Sequence, residues 1–93
     1  MTTNSKKPYK RADRVARLIM RELAPLLKQV TLLEVKLSKD ISHATVFVSM
    51  LSKDENEIKA VVADLNKHAK KFKYQLAQQV ELRYVPELYF KYD

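Results

Sequence analysis

Residues 30 to 51 hold the strongest constraint on the fold. From Val30 to Leu37 the chain alternates, with Leu33, Val35 and Leu37 on one side and Leu32, Glu34 and Lys36 on the other. Ala44, Val46, Val48 and Met50 then alternate with Thr45, Phe47, Ser49 and Leu51. A period of two sends successive side chains to opposite faces of a strand. Only Ser38 to Ser42 join the segments, and a link of about five residues is too short for a parallel crossover. The pair is expected to form an antiparallel hairpin whose apolar face the rest of the chain has to cover.

Outside the hairpin the period changes. Residues 1–9 show none and read as a flexible arm. From Lys10 to about Lys28, the residues Val15, Ile19, Leu23 and Leu26 fall within one sector of roughly 80°, while Lys10, Arg14, Arg17 and Arg21 gather within about 60° on the opposite side. This predicts a helix with a core face and a basic ridge, kinked or ended early by Pro25, which lacks a backbone donor. Further on, Ser52-Lys53-Asp54-Glu55 fits a capping box with Ser52 as the cap. Ile58, Val61, Val62 and Leu65, followed by Phe72, Leu76 and Val80, predict two helices, or one bent near His68 to Lys70. In the last segment Leu82, Tyr84, Leu88, Phe90 and Tyr92 are expected inward and Arg83, Glu87 and Lys91 outward, with strand pairing interrupted at Pro86. The order helix, strand, strand, helix, helix, strand gives an α+β class, a three-stranded sheet with helices packed on one face. A chain of 93 residues holds one such domain, over residues 10–93 after the arm.

Composition narrows the chemistry. There is no cysteine, which removes disulfides, thiolate nucleophiles and Cys-based zinc sites. The two histidines, His43 and His68, lack the i, i+4 spacing that puts two ligands on one helix face, so neither a metal nor another cofactor is expected. They read as turn and helix-surface residues. Ser38 and Asp40 read as turn formers that bond to local backbone. With no glycine-rich phosphate loop and no paired acids in a catalytic spacing, no enzyme is expected. No apolar run reaches the ~20 residues of a membrane span or the about 7 to 15 of a signal peptide, which points to the cytoplasm.

The formal net charge of +7 is unevenly spread. Residues 6–28 hold eight Lys or Arg against Asp13 and Glu22, and residues 67–73 add Lys67, Lys70, Lys71 and Lys73 with no acid among them. Charge gathered in this way marks a candidate polyanion binder. The candidate phosphate contacts are Lys10, Arg14, Arg17 and Arg21 on the ridge, and Lys67, Lys70, Lys71 and Lys73 at the helix junction. The plainer alternatives are a solvated helix face and helix-end lysines favoured by the dipole. The lack of acids for i, i+4 pairing on the ridge favours binding. Tyr84 and Tyr92 are expected in the core by parity, and Tyr89, on the other face, is the candidate for stacking on a base.

Four segments carry a family likeness: Leu37 to Ser49, Arg83 to Asp93, Arg14-Val15-Ala16 and Glu22-Leu23-Ala24. In that order, from about Arg11 to Asp93, the chain resembles the ribosome-binding factor A family, bacterial proteins that assist maturation of the small ribosomal subunit. The resemblance implies a KH-like fold of the prokaryotic topology, α-β-β-α-α-β. It also implies a non-enzymatic monomer that binds the immature small (30S) subunit and its 16S rRNA precursor, with no membrane and no small-molecule substrate. KH domains clamp a nucleic-acid backbone at a GxxG loop, which this glycine-free chain cannot form. The family typically carries an Ala-x-Gly kink instead, which falls here on His68, Ala69 and Lys70, and Lys73 stands where arginine is usual. Without glycine a gentler bend is expected. The link from Leu27 to Val30 is shorter than the family's usual loop, and the sequence stops at Asp93 where many members continue. Two rival functions follow from the residues alone: a generic basic nucleic-acid binder, and a protein-interaction module that recruits a partner strand to the sheet edge.

Overall fold

The computed structural model describes residues 10–82 and 84–93; the expected arm, the outward position of Arg83 and the side chain of Lys10 lie outside the described residues. Helix α1 (Lys10–Leu23) runs into a 3-10 turn (Ala24–Leu26), followed by β1 (Thr31–Leu37), β2 (His43–Ser49), α2 (Glu55–Lys67), α3 (Ala69–Gln79) and β3 (Glu87–Tyr92). Strand β2 is central, antiparallel to β1 and parallel to β3. A parallel neighbour requires a long crossover, which α2 and α3 supply. The element order is the one the apolar periods predict.

In α1, Ile19 and Leu23 are fully buried, Val15 and Leu26 pack partly buried against the same core, and Arg14, Arg17 and Arg21 are exposed. The α-helix ends at Leu23, and Pro25 lies in the 3-10 turn that the Leu27 N–H closes on the Ala24 carbonyl at 3.2 Å. Val46, Val48, Leu76 and Phe90 complete the centre of the core.

Three expectations are corrected. In β1 the register shifts between Leu32 and Glu34, so Leu33 is an unpaired bulge residue, 44% exposed, and Leu32, opposite Val48, packs toward the core. One extra residue reverses the parity of everything before it. At α2 the cap is Asp54, whose carboxylate accepts from the Asn56 N–H at 2.9 Å. Ser52 instead accepts from the Asp54 N–H at 3.2 Å and donates to the Glu57 carboxylate. Aspartate caps as well as serine does, so the start moved on by two residues. Finally, Tyr84 is 78% exposed and Tyr92 42% exposed, whereas Leu88 and Phe90 are buried. Strand β3 begins only at Glu87, so strand parity does not reach back to Tyr84, and Tyr92 ends the strand.

The outer edge of β3 is held by one side chain. The Phe90 N–H donates to Asn66 Oδ1 at 2.7 Å, and Asn66 Nδ2 donates to the Phe90 carbonyl at 3.0 Å. A carboxamide thus stands in for one residue of a further strand and satisfies both backbone groups in a partly buried place. Such a cover also blunts an edge that would otherwise template another chain.

The hairpin turn is wired in the same manner. Ser38 Oγ donates to Asp40 Oδ1 at 2.8 Å and accepts the N–H groups of Ser42 and His43 at 3.1 and 3.0 Å. Asp40 Oδ1 also accepts from the Ser42 hydroxyl at 2.7 Å and the Ser42 N–H at 3.1 Å. Inside this cage Ile41 sits at φ 60°, a left-handed conformation that costs a side chain with a Cβ about 1–2 kcal/mol. The hydrogen bonds from Ser42 first, and from Ser38 next, push the Asp40 carboxyl down from 3.8 to about 2.

These contacts yield three tests. Asn66→Ala leaves two backbone groups unpartnered and lowers stability by about 1–3 kcal/mol, read as a drop in the urea midpoint at unchanged slope. Leu33→Ala, at the exposed bulge, moves that midpoint by much less than Leu32→Ala does. Because folding depresses the Asp40 carboxyl, its contribution to the turn is present above 3.8 and is lost as pH falls toward about 2. Carboxyl NMR of Ser42→Ala is expected to show Asp40 titrating closer to 3.8 than in the parent chain, and an unchanged midpoint would contradict the wiring.

Candidate nucleic-acid interface

Helix α1 holds its arginines away from the sheet because Ile19 and Leu23, on the opposite side, are buried. Arg21 Nε donates to the adjacent Glu22 carboxylate at 3.3 Å, and the arginine stays largely exposed. Arg14 and Arg17 make no ion pair among the described residues. The ridge therefore offers planar guanidinium groups that suit bidentate contact with phosphate. Lys10 begins this helix.

The four lysines of the second stretch do not act as one group. Lys67 ends α2, exposed. Lys73 reaches the first residue of β3 and donates to Glu87 Oε2 at 2.6 Å. That hydrogen bond, then the Lys73 charge, holds the Glu87 carboxyl below the usual carboxylate range, with smaller help from the charges of Lys70 and His43. Lys70 and Lys73, three residues apart, thus lie toward β3. Lys71 is turned toward the 3-10 turn, where it lines a hollow of about 330 Å3 with Pro25, Leu26, Lys28, His68, Phe72 and Gln75. The two basic stretches meet there, through Lys28 and Lys71. Sequence reasoning counted Lys28 in the basic stretch without marking it as a contact; its place two residues past Leu26, the last residue of the apolar pattern, was the available signal.

The break between α2 and α3 is a single residue, His68, at φ −101° and ψ 14°. Its N–H bonds back to the carbonyls of Asp64 and Leu65 at 3.1 and 3.2 Å, and its carbonyl accepts the Phe72 N–H at 3.1 Å. Since φ is negative, the backbone here does not need glycine. His68 Nδ1 lies 2.9 Å from the Asp64 carbonyl, and a carbonyl has no proton to give, so Nδ1 is the donor.

On the open face of the sheet Tyr89 is 56% exposed, beside its register partner Thr45, and Lys36 Nζ stands 5.7 Å from the Phe47 ring centroid. The turn residues do not form a catalytic relay. A triad requires the imidazole between acid and nucleophile, but here Ser42 Oγ lies between Asp40 Oδ1 and His43 Nδ1, at 2.7 and 2.9 Å. No helix among the described residues is long and apolar enough to cross a membrane.

The ribosome-binding factor A family model matches residues 11–93. The chain is 41% identical over 95 residues to ribosome-binding factor A of Neisseria meningitidis serogroup C, covering 91% of this chain and 75% of that protein. It is 35% identical over 97 residues to that of Pseudomonas fluorescens, covering 94% and 74%. Among solved structures, a putative ribosome-binding factor A of Thermotoga maritima, studied by NMR, superposes with a TM-score of 0.67 at 34% identity, covering 91% of this chain and 89% of that one. The crystal structure of the Thermus thermophilus protein gives a TM-score of 0.66 at 23% identity over 92% and 94% of the two chains. These neighbours share the KH-like arrangement of three helices and a mixed three-stranded sheet. With the family model spanning the domain from α1 to β3, the chain belongs to the ribosome-binding factor A family.

Proposed function

We propose that the protein is a non-enzymatic assembly factor that acts in the cytoplasm, binding the immature small ribosomal subunit and its 16S rRNA during maturation. The observation that carries this reading is family membership along the whole domain. A Thermus thermophilus relative, 26% identical over 81% of this chain and 87% of that one, with a TM-score of 0.66, has been fitted into a map of its complex with the 30S particle. In this chain the contacts are assigned to Lys10, Arg14, Arg17 and Arg21 on α1 and to Lys67, Lys70, Lys71 and Lys73 around the break. Lys71 carries more than Lys73, whose charge is already met by Glu87. Phosphate neutralisation supplies affinity, and RNA shape supplies most of the selectivity, since the sequence carries no base-reading motif.

At the β3 edge the strand-recruiting alternative is disfavoured by Asn66, which occupies the outer hydrogen-bonding groups of Phe90. Co-sedimentation with immature small subunits, mature small subunits and an equal mass of unrelated duplex DNA, across a salt series, tests the proposal. Preferential, salt-sensitive retention on immature subunits is expected, and equal retention on all three would reduce the protein to a generic polyanion binder. Arg14→Gln, Arg17→Gln and Arg21→Gln combined should lower the salt slope by about 2 if each arginine meets one phosphate of a single strand, with the circular dichroism spectrum unchanged. Undiminished binding would remove the ridge from the interface.

A further inference from the structure

The hollow between the 3-10 turn and α3 is built from one continuous stripe. Lys71, Phe72 and Gln75 share one face of α3, and His68, the residue just before the helix, continues that line at the i, i+3, i+4 and i+7 spacing. Pro25 and Leu26 form the opposing wall, and Lys28 closes one end. The Phe72 ring is fixed from behind, edge to face with Phe90 at 5.7 Å and 63°. The floor is therefore apolar and firm, and the rim is basic.

We propose that this hollow takes one unstacked base of a single-stranded RNA segment while Lys28 and Lys71 hold the flanking phosphates; the proposal rests on the RNA-binding reading above. A base brings a flat apolar face for Pro25, Leu26 and Phe72, and an edge of donors and acceptors. The Gln75 carboxamide offers both kinds of partner for that edge. His68 adds a second polar group: with Nδ1 turned to the Asp64 carbonyl at 2.9 Å, Nε2 is the ring nitrogen left to meet the edge. Charge complementarity selects a nucleotide over an apolar protein side chain, because no carboxylate lines the hollow and two lysines do. Duplex RNA has no free base to offer, so the partner is single-stranded.

Two other hollows, along α1, lack this combination. One of about 260 Å3, lined by Arg11, Arg14, Val15, Leu18 and Leu82, has cations but neither an aromatic floor nor an amide to meet a base edge. Another, of about 160 Å3 beside the hairpin turn, contains Asp40, whose carboxyl is held ionised and repels phosphate.

The test is fluorescence anisotropy of the parent chain with labelled pentauridylate and with the same pentamer lacking its central base, at several salt concentrations. Uridine chains stack weakly on themselves, so the base is available without prior unstacking. The parent chain is expected to bind the intact pentamer on the order of tenfold more tightly than the abasic one. Gln75→Leu narrows that ratio without changing the salt slope. Lys71→Gln weakens both pentamers alike and lowers the slope by about 0.7. Equal, salt-sensitive binding of the two pentamers by the parent chain overturns the base subsite and leaves the RNA-binding reading standing. No binding of either pentamer, together with none to small subunits, removes both. If Gln75→Leu weakens retention on small subunits but leaves the pentamer ratio intact, the hollow takes a protein side chain and the proposal fails.

Discussion

Phe90 is held on three sides, and the geometry of the candidate interface depends on it. Its position in β3 is set by pairing with β2, where Val46 is its register partner. Its outer backbone groups are taken by Asn66 of α2, and its buried ring meets Phe72 of α3. Asn66 comes two residues before the helix break at His68 and Phe72 four residues after it. The break is therefore pinned to one strand residue from both sides. The arrangement fixes where Lys67, Lys71 and His68 stand relative to the sheet, though none of them touches the core. Removing either anchor would loosen the helix junction as well as the edge of the sheet.

This double anchoring explains how a glycine-free chain makes the turn between α2 and α3. His68 leaves the helix by one residue while staying at negative φ, and backbone hydrogen bonds continue into and out of it. Tertiary contacts on either side hold a break whose backbone stays in a region open to any residue. The positive φ lies elsewhere, at Ile41, where glycine or asparagine would be the cheaper choice. There the cage of Ser38, Asp40 and Ser42 offsets the cost, and the isoleucine side chain contributes to the surface beside Arg11 and Val15. The hairpin is thus closed by side-chain acceptors, consistent with the serine and aspartate content of the link.

Much of this was legible from the sequence because it follows from local periods. The parity of Ala44, Val46 and Val48, the Ile19–Leu23 face of α1, the end of the α-helix near Pro25 and the break near His68 each depend on neighbours within a few residues. What was not legible depends on partners far along the chain. The bulge at Leu33 arises from register against Val48 and Phe47, and alternation within β1 alone supports either Leu32 or Leu33 as the inward residue. Tyr84 has the parity of Leu88 and Phe90, yet parity has meaning only inside a ladder, and the ladder starts after Pro86. The role of Asn66 gave no signal, since an asparagine two residues before a helix break looks like any polar surface residue until a strand is laid beside it.

The same distinction bears on electrostatics. In sequence, residues 67–73 present four lysines and no acid, which suggests one positive patch. In three dimensions α3's period divides them, sending Lys70 and Lys73 toward Glu87 and Lys71 toward Lys28. At physiological ionic strength exposed charges act over about 8 Å, so proximity rather than count decides what an incoming phosphate meets. Near Glu87 it meets a lysine already neutralised; at the hollow it meets two cations from different elements and no lining carboxylate. The net charge of the chain draws a polyanion to the surface from any direction. On the proposed reading, the meeting of the 3-10 turn with the start of α3 is where that polyanion is gripped, and the pinning of the break at His68 to Phe90 helps hold that meeting in place.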